Sequence, residues 1–370
     1  MTRTPAQVFP PGEYLEEELD ARGWTQEDFA RILGKPLPTI NRILKGKVAI
    51  TPDTAKKIAA ALGTSPEVWI NLESMWQLHQ AEEPAEEIQE RAFIYNQAPI
   101  REMVRRGWIG TTQTPDDLRE ELRKHFFVDD LAQVPGFRAA ARSSTKGETN
   151  PLSPEQWAWM CRCRHLSALV DAGRFRKAAL RECVVELRRY MADPEEIAKV
   201  QPALAEAGVR LVVVQHLQAT RIDGGALERN SREPVVALSL RFGRLDNFWF
   251  TLFHELAHVL NGDGITADEE VGQVGDIVDE TEARANAMAS EWLVPSEHMD
   301  SFIRRTSGNY TTMKIRNFAR RMAVHPSIVA GHLRFRQELH YAQFTNLNTD
   351  VRDTVRASCI SDGWGEAPSL

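Results

Sequence analysis

Cysteine is scarce in this chain, with four among 370 residues. Cys161 and Cys163 are separated by one residue, which is neither the CxxC spacing of a redox pair nor that of a zinc knuckle, and Cys183 and Cys359 stand alone. That pattern excludes a disulfide scaffold and a zinc ribbon, and reads as free thiols in a reducing compartment. No stretch approaches the roughly 18 apolar residues of a membrane span, and the opening MTRTPAQVFPPGEY lacks an apolar signal core. Internal repeats and low-complexity tracts are also missing. The net charge of −7 is mild for this length. The expectation is a cytoplasmic globular protein, too long for one simple core and so built of two or three domains.

The first 80 residues are a run of short helices with sharp punctuation. An amphipathic helix from about Pro11 ends at Arg22-Gly23, where glycine suits a left-handed cap. Thr25 and Asp28 then fit the S/T-x-x-[DE] start pattern of TQEDFARILG. After Gly34 comes KPLPTINRILKGK, so the pair has the layout of a helix-turn-helix. DTAKKIAAALG and SPEVWINLESMWQLHQ complete the set. Charge is polarised: Arg31, Lys35, Arg42, Lys45, Lys47, Lys56 and Lys57 face only Asp53 in their stretch, while EYLEEELD is acidic. One basic face is thus suited to phosphate. The second helix opens Lys35-Pro36-Leu37-Pro38, where residues reaching base edges usually stand. Base contacts therefore fall to Thr39, Asn41, Arg42 and Lys45, with Gln26, Lys35 and Lys47 completing the candidate DNA-binding set.

Residues 11–80 resemble the HigA-type antitoxin domain of the Xre helix-turn-helix superfamily. The resemblance rests on PGEYL, Thr25-Gln26, Phe29-Ala30, Leu33-Gly34, LKGK, ITPDTA and ALGTSPEVWINLE. It implies operator DNA as a partner and a RelE-like toxin as a protein partner. Regulators of this kind commonly dimerise to match palindromic half-sites, so a homodimer is expected.

AEEPAEEIQE (81–90) is acidic and polar, and suits a boundary. The segments IREMVRRGWI, PDDLREELRKHFF, PEQWAWMCRCRHLSALVDAG and ALRECVVELRRYMA carry apolar residues at helical spacing, and nothing in them points to chemistry. From about 208 the pattern turns to strands: VRLVVVQHL and VVALSL read as buried strands, with turn residues in RIDGGALERNSREP between them.

FWFTLFHELAHVLNG (248–262) sets two histidines four apart with a glutamate after the first. On a helix, positions i and i+4 lie about 40° apart around the axis and roughly 6 Å along it. His254 and His258 therefore project from one face and can grip one metal ion. Glu255 lies beside them as the general base for a zinc-activated water and proton donor to the leaving amine. Zinc needs a third protein ligand, with the fourth position left for water. DETEARANAMASEWLVP offers Glu280 and Glu282. Glu282 is favoured because Asn286 follows one turn later, placed to hydrogen-bond the outer nitrogen of a ligand histidine. Tyr310, His325 and Arg241 are candidate donors to a developing oxyanion.

HELAHVL followed by ETEARANAMASEWLVP resembles the ImmA/IrrE family of zinc metallopeptidases, over roughly residues 205–335. The matching positions are Glu282, Ala285, Asn286, Ala289, Leu293 and Pro295. The chain departs at Arg284, where the family often has a second acid, and at Met288 in place of phenylalanine. If the family ligand were that second acid, this chain would lack it. The resemblance implies a Zn2+ cofactor, a thermolysin-like zincin core with a small sheet on the HExxH helix, and cleavage of a repressor or partner regulator. IRNFARRMAVHPSIVAGHL resembles a second helix-turn-helix, expected to pack against the peptidase core.

The fold expected is multidomain and mainly α with an α+β C-terminal domain. It comprises an all-α helix-turn-helix domain over 1–80, a helical connecting domain over 81–205, a metallopeptidase domain over 206–345 and a polar tail over 346–370. Two functions fit. One is a DNA-binding regulator whose zinc endopeptidase cuts itself, a partner regulator or a toxin. The other is a HigA-type antitoxin and autorepressor whose zincin-like domain only binds a toxin or ligand.

Overall fold

The computed structural model describes residues 8–82, 86–111, 114–134, 152–218, 220–230, 232–263, 268–269 and 280–365. They belong to two compact units, Met1–Glu86 and Glu87–Leu370. The first contains α1 (Pro11–Arg22), α2 (Gln26–Leu33), α3 (Leu37–Leu44), α4 (Pro52–Leu62) and α5 (Pro66–Gln80). Their ends follow from sequence. Thr25 and Asp28 form a reciprocal capping box on α2, Thr51 caps α4 and Ser65 caps α5. Gly34 turns the chain between α2 and α3 at φ +61°, a conformation that costs a side-chain-bearing residue more. The apolar faces meet in one core around Leu15, Phe29, Ile40, Ile58 and Trp69.

The second unit begins with α6 (Glu86–Gln97), α7 (Ile100–Arg105), α8 (Pro115–Phe126), α9 (Pro154–Ser167), α10 (Lys177–Tyr190) and α11 (Val200–Glu206). Three strands follow, β1 (Arg210–Val214), β2 (Ile222–Glu228) and β3 (Pro234–Leu238). After them come α12 (Leu245–Asn261), β4 (Asp268–Glu269), α13 (Glu280–Leu293), α14 (Ser296–Thr306), α15 (Thr312–Met322), α16 (Pro326–Phe335), α17 (Arg352–Ser358) and β5 (Ser361–Asp362). The mixed sheet runs β4-β2-β3-β1-β5. β1 is parallel to β3 and β5, and β2 is antiparallel to β3 with Gly224 opposite Leu238.

Burial on both faces explains the near-continuous apolar strands. Leu211, Val213, Val236 and Leu238 face the core built on α12, whereas Val212, Val214, Val235 and Ala237 face a second core. That second core contains Ile94, Met103, Leu122 and Trp159 from α6 to α9.

Three expectations change here. The helices of 81–205 are not a connecting domain: α6–α9 cover one face of the sheet, and α10 and α11 join the core on the other. Their periodicity announces helices but not what they pack on. The C-terminal stretch is not simply a tail, since β5 pairs with β1 and Asp362 accepts from Trp108 Nε1 at 2.9 Å and Arg162 Nε at 2.5 Å. A two-residue strand leaves no alternation to detect. Finally, Asp223-Gly224-Gly225 is no turn but the middle of β2. The segment resembling a second helix-turn-helix forms α15 and α16, and α16 is buried along Ile328, Val329, Ala330 and Leu333. Among the described residues no helix is long and apolar enough to cross a membrane. All four cysteines are buried and free.

His332, on α16, is 4 % exposed, and neither ring nitrogen has a hydrogen-bond partner. Burial, with repulsion from Arg336, pushes its imidazole down to about 4. The unfolded chain, with histidine near 6.5, therefore binds more protons between those values, and stability falls as pH drops through that window. We expect this group alone to cost the second unit about 2 kcal/mol between pH 7 and pH 5. His332→Leu should remove that dependence and raise stability at pH 7, as urea unfolding at the two pH values would read. An unchanged pH slope in the variant would refute the assignment.

Candidate metal centre and DNA-binding face

Helix α12 is buried along most of its length and packs against β2 and β3, with Leu252, Phe253 and Leu256 in the core that also holds Val236 and Leu238 of the sheet. His254 and Glu255 are fully buried, and His258 is 1 % exposed. Helix α13 approaches along a small-residue face in which Ala285 and Ala289 are fully buried. That close approach brings Glu282 to the histidines: Oε2 is 3.2 Å from His254 Nε2, and Oε1 is 3.4 Å from His258 Nε2. The two Nε2 atoms are 3.0 Å apart, and one donor atom from each of the three residues lies within 4.8 Å of the others.

The outer nitrogens fix the tautomers. His258 Nδ1 lies 3.0 Å from Asp263 Oδ2, and a carboxylate only accepts, so Nδ1 carries the proton. His254 Nδ1 donates in the same way to Asn286 Oδ1 at 3.1 Å. Both Nε2 atoms therefore present lone pairs to one point beside a carboxylate. Two imidazoles and one carboxylate, each imidazole held from behind, are the donor set of an open zinc site. The residues fit the metal.

Glu255 is walled by β2. A Cβ on Gly224 would stand 2.5 Å from Glu255 Oε1 and 2.7 Å from Thr251 Cγ2, so only glycine lets the strand pass this close to the carboxylate. Arg284, the departure noted in the sequence, donates to Asp263 Oδ1 at 2.6 Å. Glu282 is the acid beside the histidines, and Arg284 instead bears on the carboxylate that orients His258.

The three candidate oxyanion donors are dispersed. Tyr310 donates its hydroxyl to Glu338 at 2.9 Å, and burial together with that carboxylate pushes its phenol up. His325 caps α16, its Nδ1 accepting from the Ser327 amide at 3.2 Å. Both residues serve local structure. Arg241 pairs with Asp223 at 2.8 Å and lines a cavity of about 270 Å³ with Phe242, Asn247, Phe250 and Tyr341. Asn247 and Phe250 lie seven and four residues before His254, hence on its face of α12, and the Phe250 and His254 ring centroids are 6.4 Å apart.

Sequence reasoning missed Asp263, Gly224 and Phe250. An acid directly after the glycine that ends the histidine helix was a usable signal for Asp263. A glycine pair inside a strand could have flagged Gly224. Phe250 left none, being one more apolar residue in an apolar helix.

In the N-terminal unit Gln26, Arg42, Lys45 and Lys47 are exposed, and Thr39 and Asn41 are half-buried. Lys35 lies 3.9 Å from Asp53, a distant pair that leaves its amine partly occupied. Helix α3 starts at Leu37 after Pro36, without a side-chain cap, and turns Ile40, Ile43 and Leu44 inward.

Residues 15–69 match the helix-turn-helix family, and residues 210–333 match the IrrE N-terminal-like domain, a peptidase family. Fold and matches together define a helix-turn-helix DNA-binding regulator fused to a peptidase-family domain. The chain belongs to the Xre-type helix-turn-helix proteins by its first unit, with HigA antitoxins among its relatives, and carries an IrrE/ImmA-like domain in its second. Over 72 residues it is 39% identical to the uncharacterised HTH-type transcriptional regulator YddM of Escherichia coli, covering 20% of this chain and 77% of that protein. Over 74 residues it is 35% identical to antitoxin HigA-1 of Vibrio cholerae, covering 20% of this chain and 70% of the antitoxin. Among solved structures, it is similar to PA4674 of Pseudomonas aeruginosa in complex with its operator DNA. The identity there is 31%, the coverage 20% of this chain and 81% of that one, and the TM-score 0.19.

Losing the partner behind a ligand histidine typically weakens metal binding about 10–100-fold. Asp263→Ala should show a loss of that size against a zinc-binding dye, and Arg284→Ala a smaller one. Wild-type affinity in Asp263→Ala would remove Asp263 from the site.

Proposed function

We propose that this protein is a cytoplasmic, homodimeric DNA-binding regulator with a zinc-dependent endopeptidase, acting on a peptide bond in itself or in a partner regulator or toxin. The observation that carries the reading is the convergence of His254 Nε2, His258 Nε2 and the Glu282 carboxylate, with Glu255 buried beside them. When bound, zinc supplies Lewis acidity for amide hydrolysis. His254, His258 and Glu282 would hold it, while Asn286 and Asp263 keep the imidazoles in the tautomer that leaves Nε2 bare. Glu255 accepts a proton from the attacking water at its carboxylate and returns it to the departing amine nitrogen. The cavity on the same face of α12, lined by aromatic side chains and by the charged Asp223, Arg241, Arg244 and Asp246, offers a neighbouring side chain of the substrate a place to sit.

In the N-terminal unit, Arg42, Lys45 and Lys47 would make phosphate contacts, with Gln26, Lys35, Thr39 and Asn41 nearer the base edges. Similarity to HigA-1 supports a second reading, an antitoxin and autorepressor whose zincin-like domain only binds a toxin.

One substitution separates the two. Glu255→Gln should retain one zinc per chain and lose about 10²–10⁴-fold in cleavage rate, as expected for removal of a general base. His258→Ala should lose the metal as well. Cleavage is read by mass spectrometry of the protein incubated alone and with candidate partners. Full cleavage and unaltered operator regulation in Glu255→Gln would sink the peptidase reading.

A further inference from the structure

In a chain of net charge −7, residues 301–337 hold eight lysines and arginines and no aspartate or glutamate. Six of these, Arg304, Arg305, Lys314, Arg316, Arg320 and Arg321, are exposed on α14 and α15. Several other helices pair such residues locally, as in Arg22–Glu18, Arg106–Glu102, Arg119–Asp116 and Lys199–Glu196. Here the side-chain contacts are different in kind. Arg305 Nε donates to the Ser301 carbonyl at 3.2 Å, Lys314 Nζ donates to the Asn309 carbonyl at 2.7 Å, and Arg321 lies over the Phe318 ring. Asp300, one turn before Arg304, is engaged by Arg336.

The helix dipole accounts for part of this. Arg304, Arg305, Arg320 and Arg321 stand in the last turns of their helices, where cations are favoured. It does not account for Lys314 and Arg316 in the first half of α15, where a cation faces the positive end. Nor does it account for Arg316 and Arg320, like charges four apart that repel each other. Ile315, Phe318 and Ala319 turn inward, which leaves Arg316, Asn317 and Arg320 along the outer ridge of α15 with Arg321 at its edge. Such a ridge is unfavourable for folding in isolation and suits a polyanion.

We propose that the outer face of α15, with the end of α14, is a nucleic-acid backbone-binding surface carried by the peptidase-like unit itself, additional to the N-terminal helix-turn-helix. Phosphate is favoured over an acidic protein by residue type. The guanidinium fork matches a phosphate, and Asn317 and Thr311, both exposed, are of the kind that donate to phosphate oxygens. The surface does not read sequence. The following helix, α16, which would enter a groove in a true helix-turn-helix, is buried against the histidine helix. Binding there is electrostatic and depends on counterion release.

The test uses the full chain with Arg42→Ala, Lys45→Ala and Lys47→Ala to silence the N-terminal unit, and fluorescence anisotropy on a random-sequence duplex from 50 to 200 mM salt. This background should still bind the duplex, with log affinity falling linearly in log salt. Adding Arg316→Glu, Arg320→Glu and Arg321→Glu should weaken binding about tenfold or more and flatten the slope by about 0.9 for each phosphate no longer neutralised. The glutamine triple variant should flatten it too, and a thermal midpoint no lower than the parent's shows that either variant is folded. No binding by the background, or an unchanged slope in both folded triple variants, overturns the proposal. Competition by polyglutamate as strong as that by DNA of equal charge overturns it in favour of an acidic protein partner.

Discussion

Two imidazole lone pairs 3.0 Å apart repel each other unless a positive charge stands before them, and much of the second unit is arranged to keep them there. Neither ring can rotate away. Asp263 and Asn286 each hold an outer nitrogen, and α12 is enclosed by the sheet, α13 and α16. Breaking either hydrogen bond would strand a buried imidazole N–H, which costs about 1–3 kcal/mol. The Glu282 carboxylate, one-third exposed, adds a third acceptor aimed at the same point, which raises the need for a cation, and leaves the remaining approach to solvent. The geometry suits a cation entering from outside.

Holding α13 at that distance is a matter of small residues. Ala285 and Ala289 let the helices approach until a glutamate in the first turn of α13 reaches both histidines. A larger residue at either fully buried position would overpack the contact between the two helices and move Glu282 away from the histidines. Gly224 does the same service on the other side, where β2 passes directly behind Glu255. The centre thus lies between two close approaches, one helix-to-helix and one strand-to-helix, each made possible by a missing side chain. Arg284 completes the arrangement from the surface, since its charge bears on Asp263, which in turn fixes His258.

How much of this could be read from the sequence divides by range. His254, Glu255, His258, Glu282 and Asn286 were legible because helical spacing converts position into direction. Asp263 lies beyond the end of the helix, where spacing no longer gives direction, and Gly224 comes from a strand whose partner only the fold decides. The same limit governs the architecture. Periodicity located the helices between 81 and 205, but an apolar face does not say whether it meets another helix or a sheet. Trp159 is an example: it is fully buried and donates to the Val214 carbonyl of β1, a pairing across 55 residues that no local pattern encodes. β5 was invisible because its two residues hold their place through backbone bonds to β1 and through Asp362.

The N-terminal unit shows the opposite limit, a fold legible in detail whose readout is not. The residues that make α2 and α3 a helix-turn-helix are those that turn inward, Phe29, Leu33, Ile40, Ile43 and Leu44, and they are indifferent to the DNA sequence. Readout depends on the outward residues, and at the start of α3 these are Pro36 and Pro38, which offer no side-chain donor. Asn41, of a type suited to adenine, keeps its Oδ1 buried and without a hydrogen-bond partner. The exposed cations Arg42, Lys45 and Lys47 gather at the far end of α3 and in the turn after it, where they suit backbone phosphates better than base edges. Resemblance therefore transfers the scaffold through its core, while specificity has to be argued from the few side chains that the core leaves free.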